Sequence, residues 1–159
     1  MSQDQEQVDE LIARLASIPT RIARRVAGRN LEQLQTAPAP NTWSAQDILA
    51  HLRAADDIVA SRIYMVLVRD NPPLTAYDER RWAEIARYHF IDFATSLSLF
   101  ALRRAEVVTV LQITKDEEWR RVGTHEVRGQ VSLFEIVQGL VEHEEEHCRQ
   151  LEAILGPYP

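Results

Sequence analysis

Cysteine is almost missing from this chain. Cys148 stands alone, so no internal disulfide can form, and such usage fits a reducing, cytoplasmic setting. A single helical cysteine reads as inert rather than reactive. Glycine is scarce too, five residues in 159, against many alanines, leucines, arginines and glutamates. That balance favours helix. Basic charge is in deficit: 18 Lys and Arg face 24 Asp and Glu, a net charge of −6. No nucleic-acid partner is therefore expected, and the acidic excess argues against a membrane surface. No apolar run approaches the ~20 residues that span a bilayer. The opening residues, MSQDQEQVDE, are acidic and polar and do not read as a secretory leader.

The chain has a length that suits one domain, residues 1–159, with a sizeable core. Hydrophobic residues at 45% and charged residues at 26% are ordinary for a soluble globular protein. Periodicity then picks out four long helices. Val8, Leu11, Leu15, Ile18, Ile22 and Val26 recur every three or four residues and predict a first helix from about Gln5 to Ala27. Pro19 should kink it or mark a restart, and Gly28 is a plausible stop. A short helical turn follows at Asn30 to Leu34. Ser44 with Asp47 resembles a capping box. It opens a second helix whose stripe is Ile48, Leu52, Ala55, Val59, Ile63 and Val66. Residues Asp70 to Tyr77, with Pro72 and Pro73, read as a loop, and Asp78 to Tyr88 is either a short helix or irregular. Asp92 caps a third helix to about Ile113, lined by Phe93, Leu97, Phe100, Val107 and Leu111. Thr114 with Glu117 suggests one capped turn ending near Trp119. Arg120 to Val131, with Gly123 and Gly129, is extended or looped, and a small hairpin fits there. Ser132 with Glu135 opens the last helix, which runs to about Leu155 and stops at Gly156 and Pro157. Four amphipathic helices of about 20 residues make an all-α antiparallel bundle. The long connections allow an up-down-down-up order as readily as a simple meander.

The most informative stretch is His143-Glu144-Glu145-Glu146-His147. Two histidines four apart lie about 40° apart around a helix and roughly 6 Å along it, so both imidazoles can reach one ion. They occupy slots that the periodicity assigns to Leu or Ile, and burying two imidazoles without partners is costly. His51 sits beside the stripe of the second helix. A lone histidine there is ordinarily a packed core residue. Together, His51, His143 and His147 with an open fourth position describe a catalytic-type divalent metal site. Glu144, Glu145 and Glu146 read first as a solvated acidic face. Glu144 and Glu146 flank the histidine face and are weak candidates for a general base or for orienting an imidazole. His125 lies in a segment able to cover the site, and His89 reads as surface or packing. Trp43, Trp82 and Trp119 either line a pocket or simply pack. The pentapeptide also matches H-E-x-x-H, but a zinc protease needs a third ligand further downstream, and only 12 residues follow His147. A di-iron bundle needs Glu-x-x-His on two helices, and Ile48 stands three residues before His51.

Several segments, in this order, resemble the DinB/YfiT-like superfamily of four-helix metal-binding proteins. They are Trp43-Ser44-Ala45-Gln46-Asp47-Ile48-Leu49-Ala50-His51-Leu52, the tract Tyr77 to Ala83, Thr124-His125-Glu126-Val127-Arg128-Gly129, and Ser132 to Glu135 leading to His143-x-x-x-His147-x-x-Gln150-Leu151. The resemblance implies a bundle of the DinB type. It implies a divalent metal, often nickel or zinc, held by one histidine of the second helix and two of the fourth, here His51, His143 and His147; three histidines by their chemistry also suit iron or copper. Some relatives use low-molecular-weight thiols, and members often dimerise through helix faces.

The leading expectation is therefore a metal-dependent thiol S-transferase acting on a small electrophile, since a coordinating thiol loses its proton. Metal-assisted hydrolysis is the alternative, with Glu144 or Glu146 as base. A stress-linked protein that binds metal or a small ligand without turnover is a third reading, and a plain helical bundle the fourth.

Overall fold

The computed structural model describes residues 3–156, with side chains from residue 5 onward. Pro157, and Met1 and Ser2 of the polar leading stretch, lie outside the described residues. Helix α1 spans Gln3–Val26 and buries Val8, Leu11, Leu15, Ile18 and Ile22. It runs through Pro19 without a restart. Proline has no N–H for the carbonyl of Leu15 four residues earlier, and that carbonyl instead accepts from Arg104 Nη1 at 3.4 Å. Gly28, at φ 74°, turns the chain. Helix α2, Leu31–Gln35, carries a capping box of Asn30 and Gln33. Helix α3, Ala45–Val68, starts from the predicted Ser44–Asp47 box.

The segment expected to be a loop holds a short strand. Strand β1, Pro73–Leu74, pairs in parallel with β2, Val122–His125, which pairs antiparallel with β3, Gly129–Ser132. Two residues between prolines and a turn carry no period-2 pattern, so only the pairing partner reveals the strand. A Cβ on Gly123 would fall 2.7 Å from the Leu74 side chain and 3.1 Å from the Pro72 carbonyl oxygen, so the close approach of β2 to β1 requires glycine there. The undecided segment is helix α4, Glu79–Ala86, capped by Asp78 and ended by Arg87 in the left-handed region at φ 56°. A 3-10 turn at Tyr88–Phe90 leads to α5, Phe93–Ile113, capped by Asp92 as predicted. The next turn is 3-10, Asp116–Arg120, and its cap lies one residue later than expected. Glu118 accepts from the Lys115 N–H, whereas the Thr114 hydroxyl bonds back to Val110 and closes α5. Helix α6, Leu133–Leu155, opens with the Ser132–Glu135 box and ends at Gly156.

The bundle order is up-down-down-up. Two apolar clusters fill its two ends. One joins the first half of α1 and of α6 to the second half of α3 and of α5, and the other joins the complementary halves. Helices α1 and α6 are therefore parallel, as Arg14–Glu145 and Arg25–Glu152 confirm. Helix α1 packs on α5 and α6, and α3 packs on the same two, so α1 and α3 face each other diagonally, as do α5 and α6. Helices α3 and α5 point the same way, and residues 69–92 must travel back along the whole bundle to join them. Helix α4 lies on that crossover and packs on α3, beside the histidines.

Candidate functional site

Three side chains that the sequence singled out meet in space. His51 is on the second turn of α3, and His143 and His147 are on antiparallel α6. His51 Nε2 lies 3.0 Å from His143 Nε2, and His147 Nε2 lies 3.2 Å from it. With metal–nitrogen bonds of about 2.0–2.1 Å, the corners of a tetrahedral site lie about 3.3–3.4 Å apart. The observed spacing is close to that. His51 and His147 are buried and His143 is partly open. Burial lowers the His143 pKa and pushes that of His147 down to about 4, so both imidazoles keep a free lone pair at neutral pH. The three ring nitrogens lie within 4.8 Å of one another, so one cation can take a lone pair from each. Among the described residues this is the cluster able to hold a metal ion, and its donor set fits a divalent cation.

Neighbours fix these rings. Gln150 Oε1 lies 3.0 Å from His147 Nδ1, where it accepts the Nδ1 proton and leaves Nε2 facing the cluster. Trp43, immediately before the α3 cap, places its ring 4.8 Å from that of His51 and stacks at 5.9 Å on His147. His51 Nδ1 is buried without a hydrogen-bond partner. Of the other tryptophans, Trp119 is buried in the apolar cluster at the opposite end, and Trp82 is exposed beside Tyr77 and Ile85. Neither joins the cluster.

The carboxylate at the site is Glu79, the first residue of α4, which sequence reasoning missed. His51 Nε2 lies 3.0 Å and His143 Nε2 3.8 Å from Glu79 Oε2. The hydrogen bond from His51 holds the Glu79 carboxyl below its usual pKa, against partial burial. Tyr77 donates to Glu79 Oε1 at 3.4 Å. The tract Tyr77 to Ala83 carried a signal only through its likeness to other chains, because α4 is too short for periodicity to orient it.

The two expected glutamates are elsewhere. Glu144 has no exposure and lies inside the bundle, bound to Arg104 through both oxygens at 2.5 and 2.6 Å. It is neither solvated nor beside the histidines, because a 100° step from His143 points it at α5 rather than α3. Glu146 is solvent-exposed and held by Arg149. Glu145 pairs with Arg14. Cys148 is buried, and burial pushes its thiol up to about 11, which makes it inert.

Two cavities border the histidines. The larger, about 410 Å³, is lined by Trp43, His51, Arg80 and His89 among others; the smaller, about 200 Å³, by His143, Glu79, Tyr77 and His125. His125 thus borders the site, through a strand rather than a loop. His89 serves mainly through its backbone carbonyl, which accepts from Gln46.

A sequence model of the DinB superfamily matches residues 14–151. A protein of Oceanobacillus iheyensis is 22% identical over 92% of this chain and 85% of its own length. One of Geobacillus thermodenitrificans is 26% identical over 92% and 83%. YfiT of Bacillus subtilis is 24% identical over 92% and 83%. All three carry the name "Putative metal-dependent hydrolase". The solved structure of YfiT superposes with a TM-score of 0.86 at 22% identity, over 97% of this chain and 87% of that one. It is described as having "an unusual four-helix bundle topology", and the fold is shared.

Proposed function

Because this chain belongs to the DinB superfamily, we propose that it is a metal-dependent hydrolase of a small molecule. The observation that carries the reading is the convergence of His51, His143 and His147 Nε2 beside the Glu79 carboxylate. The three imidazoles would hold one divalent cation. Zinc or nickel is the cation proposed, with iron(II) as an alternative, since imidazole donors suit all three. Such a cation supplies Lewis acidity and a nucleophile at neutral pH. Gln150 keeps His147 in the tautomer that points Nε2 inward, and Trp43 shields one side of the cluster from water. Glu79 Oε2 takes the proton released by the attacking water and returns it to the leaving group. That role falls to Glu79 because Glu144 and Glu146 are engaged by Arg104 and Arg149.

Thiol transfer has no comparable support, whereas the names of the relatives support hydrolysis. The enzyme is read as one domain, cytoplasmic and free of nucleic-acid and membrane partners. No described helix is long and apolar enough to cross a membrane. Leu99, Leu102 and Ile113 leave apolar surface on α5 that a second copy would cover, so a homodimer is part of the reading. The test is turnover of a panel of small esters and amides by zinc- and nickel-loaded protein, with and without added thiol. Thiol-independent hydrolysis that disappears in His147→Ala is expected; turnover that requires thiol would overturn the reading.

A further inference from the structure

Arg62 follows His51 on α3 by eleven residues. Three helical turns bring it back to within about 20° of the same face and about 16 Å further along. Ala55 and Val59 lie between them on that face. On the facing helix, Gly139 and Ile136 lie one and two turns before His143. Because α3 and α6 are antiparallel, both rows run from the histidines toward the same end, and together they wall the smaller cavity. Strands β1 and β3 close it with Leu74 and Val131. The result is an apolar trough of about 200 Å³ with the histidine cluster at one end.

Two guanidiniums border the rest of the trough. Arg62 is half-buried; it donates from Nη2 to the Thr75 carbonyl at 2.5 Å and lies 5.0 Å from the centre of the Tyr77 ring. Its Nε is buried with no hydrogen-bond partner. Arg128, in the turn between β2 and β3, folds back over α6, with Nη1 3.9 Å from where a Gly139 Cβ would stand. Neither forms an ion pair among the described residues, although Arg14, Arg25, Arg81, Arg104, Arg121 and Arg149 all do. Glu126, close in sequence, is occupied by the Ala76 N–H at 2.8 Å. Burial first and then these two arginines depress the His125 pKa, so His125 adds no charge of its own near neutrality. Glu79 and Glu126 act on Arg62 only from beyond ion-pair distance, and in a chain of net charge −6 a half-enclosed apolar trough with two guanidiniums outside any ion pair and an orphan N–H is a site for an anion.

We propose that the trough takes an organic anion with an apolar body, whose terminal carboxylate sits between Arg62 and Arg128. The apolar body lies along Ala55, Val59 and Gly139, and the opposite end of the molecule reaches His143 and Glu79. Assigning that end as the bond to be cleaved rests on the hydrolase reading; the carboxylate seat does not.

Hexanoate and its neutral counterpart hexanamide, titrated by calorimetry into metal-free and zinc-loaded protein, test the seat without turnover. Hexanoate is expected to bind both forms. Arg128→Gln and Arg62→Gln should each weaken it about tenfold, the worth of one charge-assisted contact, and hexanamide should bind wild type about tenfold more weakly. Arg128 stands on an exposed turn, so its variant tests the seat even if Arg62→Gln disturbs the Thr75 contact. Gly139→Leu, which fills the trough, should abolish binding. Hexanoate that binds only the zinc-loaded protein and ignores both arginine changes would place the carboxylate on the metal and overturn the proposal. Equal binding of hexanamide, or no binding of hexanoate, would overturn it as well. Anion binding without hydrolysis of any ester would sink the hydrolase reading alone.

Discussion

Arg104 stands at mid-height of the bundle and is one of the largest fully buried side chains. It binds Glu144 through both carboxylate oxygens, Asp56 at 2.6 Å and the Leu15 carbonyl. Burial alone would raise both carboxyl pKa values, and the guanidinium opposes that. Removing it leaves two buried carboxylates without a partner. Arg104→Met should therefore lower stability by about 3–5 kcal/mol in urea unfolding, with no charge left to compensate at neutral pH. Glu144 was read as solvated, yet two of the triad's three members leave a periodic trace in the sequence. Val137, Val141, Glu144, Cys148, Leu151 and Leu155 recur at helical spacing on α6, and Phe93, Phe100, Arg104, Val107 and Leu111 do so on α5. A glutamate and an arginine on matching core stripes predict a buried pair. Weighing Glu144 together with its glutamate neighbours hid this, because residue type alone does not tell the three apart. Glu79 shows the opposite case, since its role depends on a meeting between distant segments. Glu79→Gln should cut the hydrolytic rate by about 10²–10⁴-fold while bound metal, read by elemental analysis, stays near wild type. Loss of metal instead would make Glu79 a ligand rather than a base.

Helix starts were the best-read features at the level of elements. Ser44–Asp47, Asp92 and Ser132–Glu135 all cap where predicted, because a cap is a local bargain between a side chain and N–H groups two or three residues on. Ser44→Ala should lower stability by about 1 kcal/mol in chemical denaturation, and it would also loosen Trp43 and the turn that carries His51. Short elements were read less well. Helix α4 has eight residues and β1 two, too few for a period to declare itself. Gly139 offers a contrasting prediction. It lies inside α6, and an added Cβ meets nothing closer than Arg128 Nη1 at 3.9 Å. Gly139→Ala should then raise stability by about 0.5–1 kcal/mol in urea unfolding. A residue without a side chain at this position leaves the trough open.

Across the whole molecule, the site ties together the two long helices that face each other antiparallel, α3 and α6, with the crossover laid over them. A cation that binds only the folded chain stabilises it through mass action. Zinc at about 100-fold above its dissociation constant should add about 2.7 kcal/mol to wild type and nothing to His51→Ala, read by thermal or urea unfolding. The up-down-down-up order makes this possible. It forces residues 69–92 to run the length of the bundle, and that return path brings Glu79 within 3.0 Å of His51. A simple up-down meander would have joined α3 to α5 by a short turn and left the histidines without a carboxylate.

The four long helices, the caps of three of them and the three histidines could be read from the sequence alone, because period, capping chemistry and the four-residue spacing of His143 and His147 all act within a few turns of one chain segment. Which helices are neighbours and which carboxylate stands at the cluster were settled by the tertiary structure. Those depend on contacts between residues tens of positions apart, such as His51 with Glu79, and such a contact leaves no periodic trace in either partner's own segment.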